Sequence, residues 1–267
     1  MENFKVFLVN SNLSKNTVSA YLTAIQGYFK EHDEIQKKDL LAWKVYLIEN
    51  FKPKTVNLKI QAMNKYLEFI KKPNLKIKAV KVQQKTYLEN VISDADYVFL
   101  KKKLKKEPNK EWYFIVRFLC ATGARVSELI RIKVEHVNVG YIDLYTKGGK
   151  IRRIYIPIAL RKEALIWIKD DLKIESGYIF MNRYKKRITA RGISQQLKNY
   201  AVKFGIDPKV VYPHSFRHRF AKNFLEKYND ISLLADLMGH ESIETTRIYL
   251  RKTSSEQQDI VDKIVTW

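Results

Sequence analysis

Apolar residues recur at helical spacing along most of this chain. They take on a strand-like pattern chiefly in two short segments, YIDLYT and IRRIYIP, which flank the sequence KGGK. Two strand-length runs separated by a pair of glycines predict a hairpin, because Gly148 and Gly149 can adopt the positive φ that tight turns require. A further short strand is read at GYIFM, residues 177–181. This pattern predicts a mainly α chain with a small antiparallel sheet, in which the hairpin sits among helices.

The helices fall into two groups. In SKNTVSAYLTAIQGYFKE, Ser14 caps a helix whose apolar stripe is Val18, Tyr21, Leu22, Ile25, Tyr28 and Phe29. DLLAWKVYLIEN follows, and then a helix that opens on Pro53, with Val56, Ile60, Met63, Leu67 and Ile70 on one face. Pro73 stops this group, and NLKIKAVKVQQKTYLEN reads as an exposed basic connection. Beyond it, Ser93 caps a helix to about Lys106, and a longer one runs from about Asn109 to Thr122 and ends at Gly123. Helical patterns return at 158–172, 190–204, 214–227, 230–238 and 242–250. The expected layout is a helical domain over residues 1–72, a linker over 73–89, and a mixed α/β domain over 90–267 with a tail from 253.

Charge narrows the partner. The chain has 50 Lys and Arg against 28 Asp and Glu, a net charge of +22. Residues 1–89 carry +8 (16 Lys, 8 acids) and residues 90–267 carry +14 (34 Lys and Arg, 20 acids), so both parts can neutralise phosphates. Nucleic acid is the expected partner. A membrane surface is not, because no basic amphipathic helix lies beside an apolar anchor, and no run approaches the roughly 18 apolar residues of a span. The start, MENFKVFLVNSN, lacks a basic region and a cleavage site, and the lone Cys120 lies in the apolar run WYFIVRFLC. A cytoplasmic, reducing location is expected.

Three segments carry groups suited to phosphate chemistry. ATGARVSELIRI places Arg125 after a glycine turn at the start of a helix, with Glu128 three residues on and able to orient it. Taken alone, that pair reads as an ordinary surface salt bridge, and it gains weight only from the segments that follow. In YPHSFRHRFAKNFL, His214 and Arg217 share a helical face while Phe216, Phe220 and Phe224 form another. Adjacent cationic side chains suit an anion between them, or a helix lying along DNA without chemistry. By helical geometry His218 and Arg219 are expected to point elsewhere, as support. In LLADLMGHESIETTRIYL, Gly239 ends a helix, His240 occupies the turn, and Tyr249 follows nine residues later (249 − 240).

Taken together these motifs resemble the tyrosine recombinases, or phage-type integrases. The matching elements are the arginine of TGARVSEL, the lysine of TKGGK, the H-x-x-R of HSFRHRF, the GH of LMGH and the tyrosine of TTRIYL. Their order agrees with that family, as do the separations from Arg125 to Lys147 (22) and from His214 to His240 (26). The resemblance implies a helical core-binding domain, a basic linker and a catalytic domain, and so covers essentially the whole chain. The stretch from TKGGK to Pro157 is slightly longer than in the simplest members, and Met238 departs from the residue usual at its position.

The resemblance also implies the chemistry. Tyr249 would be the nucleophile, with Arg125, Arg217, His214 and His240 around the scissile phosphate and Glu128 in support. A 3′-phosphotyrosyl link and a free 5′-hydroxyl would form, and Lys147, with Lys150 as its rival, would protonate the leaving oxygen. Ionising a tyrosine at neutral pH costs roughly 4 kcal/mol, which preorganised cations can offset without a metal. No cofactor is called for: there is no phosphate-binding GxxxxGK[ST] loop and no persuasive carboxylate cluster. The expected outcome is integration, excision, inversion or resolution by a tetramer on two DNA sites, with accessory DNA-bending proteins. A compact member without an arm-binding domain is expected, because helices begin almost at residue 1. The tail after Tyr249 carries Ile260, Val261, Ile264 and Val265, which pack either on their own domain or, as the resemblance implies, on a neighbouring subunit. A non-catalytic architectural DNA binder and a type IB topoisomerase are the alternatives.

Overall fold

A computed structural model describes residues 1–82, 89–145, 151–240, 242–250 and 254–265, and divides the chain into two compact units, Met1–Gln84 and Lys85–Trp267.

The first unit contains α1 (Glu2–Asn10), α2 (Lys15–Tyr28), α3 (Lys37–Asn50) and α4 (Pro53–Phe69). Ser14 accepts from the Thr17 N–H at the start of α2, and Pro53 opens α4, as the sequence predicts. Phe4, Leu8, Ile25, Tyr28, Leu40, Leu47, Ile60, Met63 and Leu67 form its core.

The segment read as an exposed connection begins otherwise. Asn64 exchanges two hydrogen bonds with the backbone of Ile77 (2.9 and 3.0 Å), and Asn57 exchanges two with Val80 (3.0 and 2.8 Å). Seven residues along a helix advance about 10.5 Å, and three along an extended strand advance about 10 Å. The two amide side chains therefore match the extended backbone and hold it along α4, with Ile77 buried in the core. Asparagine spacing, which periodicity of apolar residues does not register, converts this stretch into part of the unit.

The second unit contains α5 (Asp94–Lys106), α6 (Glu111–Thr122), α7 (Val126–Leu129), α8 (Val134–Val139), β1 (Tyr141–Tyr145), β2 (Ile151–Tyr155), α9 (Ile158–Trp167), α10 (Ala190–Lys203), α11 (Pro213–Tyr228), α12 (Ile231–Met238), α13 (Ile243–Arg247) and α14 (Ser254–Ile264). A π turn, Ile168–Leu172, prolongs α9, and a 3-10 turn, Ile248–Leu250, follows α13. β1 and β2 pair antiparallel in the register Tyr141 opposite Tyr155 through Tyr145 opposite Ile151. The turn between them lies outside the described residues.

GYIFM does not join the sheet. Tyr178 and Met181 form only isolated bridges, with Lys133 and Arg187, while both Ile179 and Phe180 are fully buried. A segment that buries consecutive side chains serves here as a core cord rather than an alternating strand.

α6 lies at the centre of the core, with Phe114, Ile115, Val116, Phe118 and Leu119 buried, and it packs on α11. Its end is constrained twice. Gly123 has φ +62°, and a Cβ there would lie 2.4 Å from the Phe220 ring of α11. Cys120 packs against this core, where burial pushes its thiol up to about 11 and leaves it unreactive at neutral pH.

Candidate active site

The C-terminus of α12 organises the site. The last carbonyls of a helix have no intrahelical donors and form the negative end of its dipole. Here three consecutive ones each accept from a different arginine. The Leu237 carbonyl accepts from Arg152 Nε (2.9 Å), that of Met238 from Arg217 Nη2 (2.6 Å), and that of Gly239 from Arg125 Nη2 (3.2 Å). Gly239 permits the approach: its φ is +61°, and a Cβ would fall 2.2 Å from Arg152 Cδ.

Each arginine reaches this point from a separate element. Arg125 caps α7, where Glu128 folds back so that one carboxylate oxygen accepts the Arg125 backbone N–H (2.7 Å) and the other accepts its guanidinium (2.9 Å). The ion pair expected from sequence is thus present, but it is not a simple surface pair. Arg152, inward-facing on β2, donates to the same Glu128 oxygen at 2.7 Å. Burial alone would raise the Glu128 carboxyl, yet Arg152 and Arg125 outweigh it and hold the group below the usual carboxylate range.

Arg217, on α11, is only 1% exposed and also donates to the Gly123 carbonyl at 2.5 Å. Burial, with Arg125 and Arg152 beside it, lowers its pKa to about 10. The Glu128 carboxylate pairs with Arg125 and Arg152 and leaves Arg217 without a carboxylate of its own among the described residues, an excess of cationic charge suited to an anionic ligand.

His240 lies in the turn after α12. Its Nε2 is 3.2 Å from Arg217 Nη2, and its Nδ1 is 2.7 Å from the Thr246 hydroxyl. A guanidinium can only donate, so Nε2 accepts and the proton resides on Nδ1. Burial first, then Arg217, Arg125 and Arg152, hold His240 neutral with a pKa of about 4.

His214, exposed on the first turn of α11, is likewise lowered, by burial of part of the ring and by Arg217 and Arg125. Tyr249, in the 3-10 turn, is 6% exposed among Ala221, Leu225, Leu234 and Met238. Burial raises its pKa, while the positive charges of Arg217 and Arg125 pull it down. The His240 ring stacks on the Tyr249 ring at 6.1 Å and 13°.

Arg125, Glu128, Arg217, His240 and Tyr249 are therefore brought together, with His214 on the same helix as Arg217. Lys147 and Lys150 lie outside the described residues. His218 does not point elsewhere. Four residues is about one helical turn, so it shares a face with His214, and its ring lies 5.3 Å from that of Tyr249. Burial lowers its pKa to about 4. Arg219 does turn away, forming an ion pair with Asp94.

Sequence reasoning missed Arg152, although a signal was present: the alternation through Arg152, Ile154 and Ile156 places an arginine at an inward position. Among the described residues, no three His, Cys, Asp or Glu side chains are grouped to hold a metal ion.

The chain is similar to proteins of known kind. Residues 91–256 match the phage integrase family. The tyrosine recombinase XerA of Pyrococcus furiosus is 29% identical over 98% of this chain and 93% of its own length. The tyrosine recombinase XerD of Oceanobacillus iheyensis is 28% identical over 97% and 96%. A TnP I resolvase of Bacillus thuringiensis is 27% identical over 98% and 97%. Among solved structures, the Tn1549 transposon integrase in complex with transposon right end DNA superposes with a TM-score of 0.73 at 14% identity, covering 99% of both chains. The XerH recombinase bound to its difH substrate superposes with a TM-score of 0.69 at 19% identity, covering 94% of this chain and 80% of its own.

The chain belongs to the phage integrase family. It is a tyrosine site-specific recombinase of the compact kind that its XerA and XerD relatives represent.

Proposed function

We propose that this protein binds double-stranded DNA and exchanges strands between two sites through a phosphotyrosine at Tyr249. The observation that carries the reading is the convergence of Arg125, Arg217 and His240 with Tyr249 at the end of α12, where Arg217 donates to a helix carbonyl and to His240, whose ring stacks on that of Tyr249. In this reading the scissile phosphate sits against Arg125, Arg217, His214 and His240, which stabilise charge as it gathers on the non-bridging oxygens. The Tyr249 oxygen attacks phosphorus, the P–O5′ bond breaks, and the phenolic proton passes to a neutral imidazole of the cluster. Lys147 protonates the departing 5′-oxygen. A 5′-hydroxyl from a second site reverses the attack, so the bond energy is retained and no nucleotide hydrolysis is needed.

The same reading includes a tetramer across two sites, with Ile260, Val261 and Ile264 of α14 and the following Val265, all exposed in the single chain, as its contact with a neighbour. DNA complexes of the structural neighbours support duplex DNA as the partner. The biological outcome proposed is integration, excision, inversion or resolution, served by accessory DNA-bending proteins.

A nicked suicide substrate, from which the 5′ fragment diffuses away, tests the chemistry. Wild type is expected to accumulate a covalent adduct that Tyr249→Phe does not form while binding equally well. An adduct formed equally by Tyr249→Phe would defeat the assignment.

A further inference from the structure

Arg152 has no place among the phosphate-facing groups, yet it is buried and bonded to two of the segments that carry them. It is 4% exposed, donates Nη1 to Glu128 Oε1 at 2.7 Å and Nε to the Leu237 carbonyl at 2.9 Å, and packs its Cδ against the bare α-carbon of Gly239. One guanidinium thereby joins three chain segments. These are β2; the α7 start, which carries Arg125; and the end of α12, which leads into His240.

Two physical consequences follow from the shared carboxylate. With Arg152 in place, the Glu128 charge is divided between two guanidinium groups, so Arg125 retains unneutralised charge for an anion. Without it, Glu128 has Arg125 as its only guanidinium partner, and the Leu237 carbonyl loses its side-chain donor while Gly239 loses the surface it rests on. Arg125 would be drawn into a closed pair and the His240 turn would lose its register.

We infer that Arg152 is a positioning residue for strand cleavage, setting the charge and direction of Arg125 through Glu128 and the seat of His240 through Leu237 and Gly239. The inference rests on the proposed function above. It assigns Arg152 no contact with DNA.

The test is single-turnover cleavage of the nicked suicide substrate at saturating protein, with DNA affinity and thermal midpoint measured on the same preparations. Arg152→Gln is expected to slow adduct formation by about 20-fold or more while changing affinity less than about 2-fold, the pattern of a group acting only at the chemical step. Arg152→Lys, which keeps the charge and one donor, is expected to recover part of that rate, and it serves as the informative variant if Arg152→Gln does not fold. In a double-mutant cycle, Arg152→Gln with Glu128→Gln is expected to be much less harmful than the product of the single losses, because both act on Arg125 through one contact.

A merely structural role predicts the opposite: rate, affinity and thermal midpoint fall together, Arg152→Lys recovers none of the rate, and the cycle is multiplicative. That result, or Arg152→Gln cleaving within about 2-fold of wild type, overturns the inference. If wild type itself forms no adduct, it is the recombinase chemistry that fails, which separates the two outcomes.

Discussion

At Tyr249, burial pushes the phenol pKa up while Arg217 and Arg125 pull it down, so the proposed nucleophile would depend on its arginines for ionisation. Arg217→Ala is therefore expected to reduce cleavage by about 100-fold or more with DNA affinity largely kept, measured as adduct yield against retention in a binding assay. Loss of affinity in proportion to activity would contradict it. Acid sensitivity follows from the histidines. His218 and His240 titrate at about 4 in the fold against roughly 6.5 when unfolded. Between those values the unfolded chain binds more protons, so stability is present above the upper value and is lost as pH falls through the window. Glu111 acts in the other direction. Burial raises its carboxyl to about 7, so the folded state binds the extra proton between its unfolded and folded values and stability falls as pH rises through that range. Glu111→Gln keeps the acceptor for the Met181 N–H and is expected to stabilise the protein by about 1–3 kcal/mol at pH 8, with little change near pH 4.5. Thermal melts of both proteins across pH 4.5–8 would show the difference, and parallel curves would refute it.

At the scale of elements, the two asparagines of α4 make a prediction independent of catalysis. Asn57→Ala with Asn64→Ala removes four hydrogen bonds to residues 77 and 80, and is expected to cost about 2–4 kcal/mol and to expose the 76–82 stretch to protease. Limited proteolysis and denaturant melts check it; an unchanged cleavage pattern would mean the stretch is held by Ile77 packing alone. This is also where the sequence was least legible. Helices whose apolar residues share one face, such as α2, α4 and α6, could be read directly, because periodicity reports burial. The residues at 125, 214, 217, 240 and 249 could be read as a set because their types and spacings resemble a family. What escaped were contacts made by polar groups between distant segments: Asn57 to Val80, Arg152 to Glu128 and Leu237, and His218 against Tyr249. Such pairings depend on how elements meet in space, which no local pattern encodes. The strand at GYIFM failed for a related reason, since burial on both sides erases the alternation by which strands are recognised.

Across the whole molecule, net charge of +22, positive in both parts of the sequence, sets the expected dependence on salt. If some six to ten phosphates are neutralised, affinity for duplex DNA should fall by about 10³–10⁵ between 50 and 200 mM salt, read as the slope of log affinity on log salt concentration. A shallow slope would point to few phosphate contacts. The three arginines laid on consecutive carbonyls of α12 carry a different implication. Because Arg125, Arg152 and Arg217 are moored to adjoining points on one short helix, a shift of that helix end displaces all three in concert. The enzyme is thereby given a single adjustment in place of three. A substitution along that helix end would accordingly be felt at all three guanidinium groups together.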